Sequence, residues 1–200
     1  KEKPIVLSTG MSNLNEIKKA IRVLIKNGLK KKQITILQCT SNYPTKVSDL
    51  NLNVLTTFKK KFKLKLGFSD HTTNLETPLF AIFKGATLIE KHITLNKKMK
   101  GPDHKASLNI TEFKKMMNLI ENFNSSLGSY SKKPNQEEIK TALLVRKSIV
   151  AKKKILKGEL FNEKNLTCKR PGNGIPPAKM KTLINKKSNK NYSINEMIST

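Results

Sequence analysis

Tryptophan is absent from the 200 residues, and only two cysteines and three histidines occur. Cys39 and Cys168 are too few and too far apart to build a disulfide framework. Both thiols are expected to stay reduced, which fits a cytoplasmic setting, where disulfides are rare. Apolar runs of the roughly 20 residues that cross a bilayer are also missing, so no membrane partner is expected. Acidic side chains are scarce: 14 against 40 lysines and arginines, a formal charge of +26. Such an excess points first to a polyanion. Yet the lysines spread over helix faces, turns and both halves of the chain, and aromatics make up only 6%. No zinc-finger spacing or RNP-type motif accompanies them, so nucleic acid is not the expected partner. Lys1-Glu2-Lys3-Pro4 offers neither an initiator methionine nor the apolar core of a secretory signal. The chain opens almost directly on a strand and reads as a piece of a longer protein.

What is present is an alternation. Ile5-Val6-Leu7 is a short apolar run ending at Ser8-Thr9-Gly10; Asn13 and Glu16 then have the spacing of a helix cap and its capping-box partner. Ile17, Ala20, Ile21, Leu24 and Ile25 recur at helical spacing, and Gly28 ends the helix. A second strand, Ile34 to Gln38, leads through a loop from Cys39 to Thr45 into a helix around Leu52, Leu55 and Phe58. A third, Leu64 to Phe68, precedes a helix near Leu79, Ile82 and Phe83. The fourth, Thr87 to Ile93, is followed by a helix carrying Phe113, Met116, Met117 and Ile120. This order calls for parallel strands with right-handed crossovers. Four such units make half of an eight-fold barrel or a small open sheet, and periodicity alone does not choose. Residues 128–145 read as a linker, on the Ser, Gly, Lys, Pro and Asn content that begins at Ser125. Residues 146–200, with short strands and glycine turns, read as a small β module whose core needs support from docking.

His71 and His92 stand 21 residues apart, each closing an apolar run that reads as a buried strand. In an α/β barrel both imidazoles then share the rim where such enzymes keep their active sites. Two imidazoles there suit a divalent metal. Glu90 precedes His92 by two, so strand alternation aims both the same way.

The ordered motifs Ser8-Thr9-Gly10-Met11, Gln38-Cys39-Thr40-Ser41-Asn42-Tyr43-Pro44, Gly67-Phe68-Ser69-Asp70-His71-Thr72, Glu90-Lys91-His92-Ile93-Thr94 and Gly101-Pro102-Asp103-His104 resemble the sialic acid (N-acylneuraminate, nonulosonic acid) synthase family. Arg146-Lys147-Ser148 and Lys169-Arg170-Pro171-Gly172-Asn173-Gly174 resemble its antifreeze-like (SAF, β-clip) domain. The resemblance implies an α/β fold: strands five to eight of a TIM barrel over residues 1–127, the linker, and the antifreeze-like domain over 146–200. It implies condensation of phosphoenolpyruvate with an N-acylmannosamine-type sugar and release of phosphate, with Mn²⁺, Mg²⁺ or Co²⁺ as cofactor and a domain-swapped homodimer as the assembly.

By the same resemblance His71 and His92 are the metal ligands, and Asp103 faces the sugar. Glu90 orients a ligand or handles a proton, against a plainer reading as a buried ion pair with Lys3. Ser8 and Ser69 match serines that bind the carboxylate or phosphate of phosphoenolpyruvate, with Lys3 as added charge. Tyr43 lines the substrate. Ser41 stands where some relatives carry asparagine, a departure that bears on the sugar. Arg170 matches an arginine that enters the partner's barrel and meets the N-acyl group, a task suited to a guanidinium fork. His104 has no motif support and reads as a surface loop residue. Two rivals remain: a carbohydrate- or polyanion-binding protein built on the antifreeze-like module, and a different aldolase-like barrel using the same metal rim. These 200 residues alone are expected to be inactive, because the earlier strands would supply the other phosphoenolpyruvate contacts.

Overall fold

The computed structural model describes residues 3–199. The chain divides into two compact units, one ending at Gly128 and one beginning at Ser129.

In the first unit, β1 (Ile5–Ser8), β2 (Ile34–Cys39), β3 (Lys65–Asp70) and β4 (Leu88–Lys91) form a parallel sheet in that order. Each strand is followed by a helix: α1 (Leu14–Lys26), α2 (Asn53–Phe62), α3 (Thr77–Phe83) and α4 (Ile110–Leu127). Consecutive strands are therefore neighbours, as in successive staves of a barrel, and all four carboxyl ends share one rim. Asn13 caps α1 and Asn109 caps α4, each receiving a backbone N–H while a glutamate three residues on receives the cap's own N–H. Lys63, in the left-handed region at φ 54°, ends α2.

Alternation splits each strand between two faces. Ile34 and Ile36 of β2, Leu66 and Phe68 of β3 and Ile89 of β4 pack against Ile17, Ile21, Leu55 and Phe58 from the helices. Apart from the partly buried Ile89, each of these buried side chains contributes roughly 1.5–3 kcal/mol relative to exposure. The opposite face carries Leu37, Gly67, Ser69, Leu88 and Glu90. Gly67 is required there: a Cβ would stand 2.3 Å from Leu37 Cδ2 and 2.9 Å from the Leu88 carbonyl oxygen. The strands thus approach through a missing side chain.

The second unit pairs β5 (Ser148–Ala151) with β6 (Leu166–Lys169) antiparallel. Isolated bridges join Val150 to Met197, Ile155 to Tyr192 and Leu160 to Lys187. Its core gathers Ile149, Ile155, Phe161, Leu166, Tyr192 and Ile198, with Leu183 from the short helix α6 (Met180–Leu183); here α5 (Gln136–Val145) comes first in the chain. That helix corrects the linker reading of 128–145. Asn135 accepts the Glu138 N–H, and Glu138 accepts the Asn135 N–H in return, both at 2.8 Å. The cap signature was in the sequence, hidden by the Ser/Pro/Asn composition beside it. Residues 125–127, also read as loop, belong to the last turn of α4. Among the described residues no helix is long and apolar enough to cross a membrane.

Candidate active site

β3 and β4 pair with Ser69 opposite Glu90 and Asp70 opposite Lys91. The next residue on each is a histidine, so the two imidazoles leave the sheet side by side. Their ring centroids are 5.2 Å apart and the planes nearly perpendicular, at 86°. His71 is buried and its Nδ1 donates to the Thr40 carbonyl at 2.8 Å. That bond puts the ring proton on Nδ1 and leaves a lone pair on Nε2. Ser69 Oγ lies 3.3 Å from Nε2, but its proton goes to Glu90 Oε1 at 2.6 Å. The Nε2 lone pair therefore faces a hydroxyl already committed elsewhere and is free to bind a cation.

Tyr43 completes the cluster from the loop after β2. Its ring is 4.1 Å from that of His71 and 5.5 Å from that of His92. Burial raises the Tyr43 hydroxyl above the usual phenol range, and Cys39, Asp103 and Glu90 push it the same way. Asp103 approaches from the other side, its Oδ2 3.9 Å from His92 Nδ1. His71, His92, Glu90, Ser69, Tyr43 and Asp103 thus converge on one end of the sheet.

Ser41 is half-buried beneath the loop after β1: a Cβ on Gly10 would lie 2.1 Å from its Oγ. Ser8 is exposed at the end of β1, on the same rim. Two residues expected from sequence are placed differently. Lys3 is exposed and precedes β1, so it stands at the opposite end of the strands from the imidazoles. Strand direction, which a motif match ignores, keeps it from this cluster. Nor does Lys3 pair with Glu90, whose hydrogen bond comes from Ser69. His104 is half-buried, with Nδ1 2.8 Å from Thr94 Oγ1, rather than a plain surface residue.

The ion pair that does form is Asp70–Lys91, 2.8 Å long, with side chains 0% and 3% exposed. Burial pulls the Lys91 ammonium below the usual lysine range, and Asp70 opposes that shift. Asp70 and Lys91 each lie two residues beyond a core residue, Phe68 and Ile89, and so share the helix-facing side.

Among the described residues no group of three or more His, Cys, Asp or Glu side chains is arranged to hold a metal ion. The two imidazoles nevertheless fit one. A first-row cation with nitrogen ligands at about 2.1 Å brackets ring centroids roughly 5 Å apart, the separation seen here. Two protein ligands would leave positions for substrate and water.

Arg170 belongs to the second unit. Its Nε donates to the Val145 carbonyl at 3.0 Å, and the side chain is exposed. The turn after it is pinned by Ser148, whose Oγ donates to the Pro171 carbonyl at 2.7 Å and accepts the Gly174 N–H at 2.8 Å.

A half cylinder of parallel strands with chemistry gathered on its carboxyl rim defines a barrel-type enzyme fold. The chain belongs to the NeuB family: residues 1–132 match the family model, and residues 146–200 match the SAF domain. It is similar to an N,N'-diacetyllegionaminic acid synthase of Campylobacter jejuni, 47% identical over 98% of this chain and 59% of that protein. A protein of the same description from Legionella pneumophila is 37% identical over 96% of this chain and 55% of its own length. Among solved structures, an N-acetylneuraminic acid (sialic acid) synthetase from Leptospira borgpetersenii superposes with a TM-score of 0.59 at 32% identity, over 69% of this chain and 47% of that one. The chain therefore spans little more than half the length of the relatives it matches.

Proposed function

We propose that this chain is the C-terminal part of a nonulosonic acid synthase that condenses phosphoenolpyruvate with an N-acylmannosamine-type sugar and releases phosphate. The observation that carries the reading is the convergence of His71, His92, Glu90 and Tyr43 on the carboxyl rim of a NeuB-family sheet. His71 and His92 would hold a divalent cation, Mn²⁺ or alternatively Mg²⁺ or Co²⁺, which when bound supplies Lewis-acid polarisation of the sugar aldehyde. Around it the chain's own groups divide the work. Ser8 offers a short hydroxyl to the phosphoenolpyruvate anion, Ser69, whose proton is engaged by Glu90 Oε1, stands beside it, Ser41 bears on which sugar fits, and Tyr43 closes one wall. Asp103 receives sugar hydroxyls. Glu90, held by Ser69, manages the proton of the water that adds at C2 after C3 has attacked the aldehyde carbon; phosphate then leaves by C–O cleavage. Arg170, supplied by a partner protomer, donates to the N-acyl carbonyl.

The likeness to legionaminic acid synthases supports a legionaminate-type precursor as the sugar. No step calls on Cys39 or Cys168, both free thiols, and a cytoplasmic setting suits them. The full-length protein, given phosphoenolpyruvate, Mn²⁺ and the precursors of legionaminate, pseudaminate and neuraminate in turn, is expected to release phosphate with one of them and to stop when the cation is chelated. His71→Ala is expected to abolish that turnover and weaken Mn²⁺ binding while the fold persists. Absence of phosphate release with every such sugar overturns the proposal. The 200 residues alone, with both outer strands β1 and β4 unpaired on one side, are expected to be inactive; turnover by them refutes that part.

A further inference from the structure

We infer that the buried Asp70–Lys91 pair is a positioning device that sets the separation of His71 and His92, an inference that rests on their reading as cation ligands. Each member immediately precedes one of the histidines, and the sheet register ends at this very pair. Beyond it the backbones part. The His71 carbonyl accepts the Thr45 N–H, and the His92 carbonyl accepts the Leu108 N–H, so each histidine's backbone is tied to a different segment. The Asp70–Lys91 side-chain network ties the two segments together at this level.

That network is complete. Asp70 Oδ1 accepts the Thr72 N–H at 2.8 Å, and Oδ2 accepts both Thr77 Oγ1–H and Lys91 Nζ. Lys91 Nζ donates also to the Thr72 carbonyl at 2.6 Å and the Asn74 carbonyl at 3.1 Å. An ammonium has three hydrogens, and all three are directed at the chain flanking His71. Lys91 has no hydrogen left for a ligand and Asp70 is wholly buried, so neither side chain is a catalytic group. The arrangement straps the loop of one imidazole onto the strand of the other. Buried ion pairs are seldom the best route to stability, since apolar groups of similar volume often serve as well. What apolar groups cannot do is grip two carbonyls and a carboxylate at fixed directions, and that directional grip is what a two-point cation site needs.

The test uses the full-length protein with Mn²⁺ itself as probe. Asp70→Asn/Lys91→Met removes both charges together and keeps the volume. The expected result is a metal-free thermal midpoint close to that of the parent, with Mn²⁺ affinity, read from the free-ion electron paramagnetic resonance signal, weakened about 10-fold or more, the range for lost outer-shell support. A folded double variant that binds Mn²⁺ as tightly as the parent overturns the inference. Should the double variant not fold, Thr77→Val removes one hydrogen bond to Asp70 and leaves the pair in place. It is then expected to weaken Mn²⁺ a few-fold without lowering the midpoint comparably, and unchanged affinity again overturns the inference. His71→Ala separates the two levels. If it leaves Mn²⁺ affinity unaltered, the cation reading itself fails; if it abolishes binding while the pair variants do nothing, only the positioning role falls.

Discussion

Replacing Gly67 by alanine should strain the first unit at the contact that lets β3 lie against its neighbours. The new methyl would meet Leu37 Cδ2 at 2.3 Å, the Leu88 carbonyl oxygen at 2.9 Å and Leu88 Cβ at 3.2 Å. Of these, only the leucine terminus can move, and Leu37 is itself 0% exposed, with no free space to enter. Overpacking of this kind costs about 1–3 kcal/mol. Alanine recovers roughly 0.5–1 kcal/mol of that, because glycine in a strand loses more backbone freedom on folding. Taking the middle of each range, the net loss is about 1 kcal/mol, a fall of roughly 2–4 °C in the thermal midpoint for a domain of this size range. Calorimetry or circular dichroism of the full-length protein reads it. The specific contact is checked by adding Leu37→Val, which deletes the clashing δ-carbon. If the contact argument holds, the double variant is more stable than the sum of the two single effects, since neighbours that share a contact are non-additive. A midpoint for Gly67→Ala equal to or above the parent's, or strict additivity with Leu37→Val, refutes the reasoning.

Two further outcomes follow from other parts of the molecule. Ser148→Ala leaves the Pro171 carbonyl and the Gly174 N–H without their shared partner; at a fully buried site this is expected to cost about 1–3 kcal/mol, read as faster proteolysis of the second unit near residues 170–174. Glu112 is held below the usual carboxylate range first by its hydrogen bond from Lys97 and then by the Asn109 N–H. Its folded value thus lies below the unfolded one, so its contribution is present above the unfolded value and is lost as pH falls through the folded one. Glu112→Gln is expected to make the acid limb of the stability profile shallower, and an unchanged limb in urea titrations between about pH 5 and 2 would assign that limb to other groups.

The βα alternation was legible because each strand announces itself by an apolar run and each helix by its 3.6-residue period. Asn13 with Glu16 marked a helix start that the structure reproduces atom for atom. The helix at 136–145 carries the same signature at Asn135 and Glu138, but the Ser, Pro and Asn residues beside it have the composition of a loop and mask the cap. The rim histidines could be found because a barrel puts every strand end on one circle, so position along a strand converts directly into position in space. Lys3 shows the limit of a motif match: four residues of strand lie between it and that circle. The Asp70–Lys91 pair was illegible for a different reason. Neither strand alone contains it, and it exists only once the register sets Asp70 beside Lys91.

That register also explains why chemistry and support can occupy the same short runs. In Ser69-Asp70-His71 and Glu90-Lys91-His92 the outer residues of each triplet turn to the sheet's open face and the middle residue turns to the helices. The open face receives a hydroxyl, a carboxylate and two imidazoles; the helix side receives one buried acid and one buried base. A slip of β4 by one residue against β3 would turn that strand's side chains over, setting Lys91 on the open face beside Ser69 and His71 and driving His92 into the apolar layer around Phe68 and Ile89. Ile89, two positions before Lys91, forbids that slip, because the slip would also turn it out of that layer. The hydrophobic pattern that builds the sheet is therefore the same pattern that aims the site, and a variant that loosens the Phe68–Ile89 layer should be felt at the histidines before it is felt in the overall fold.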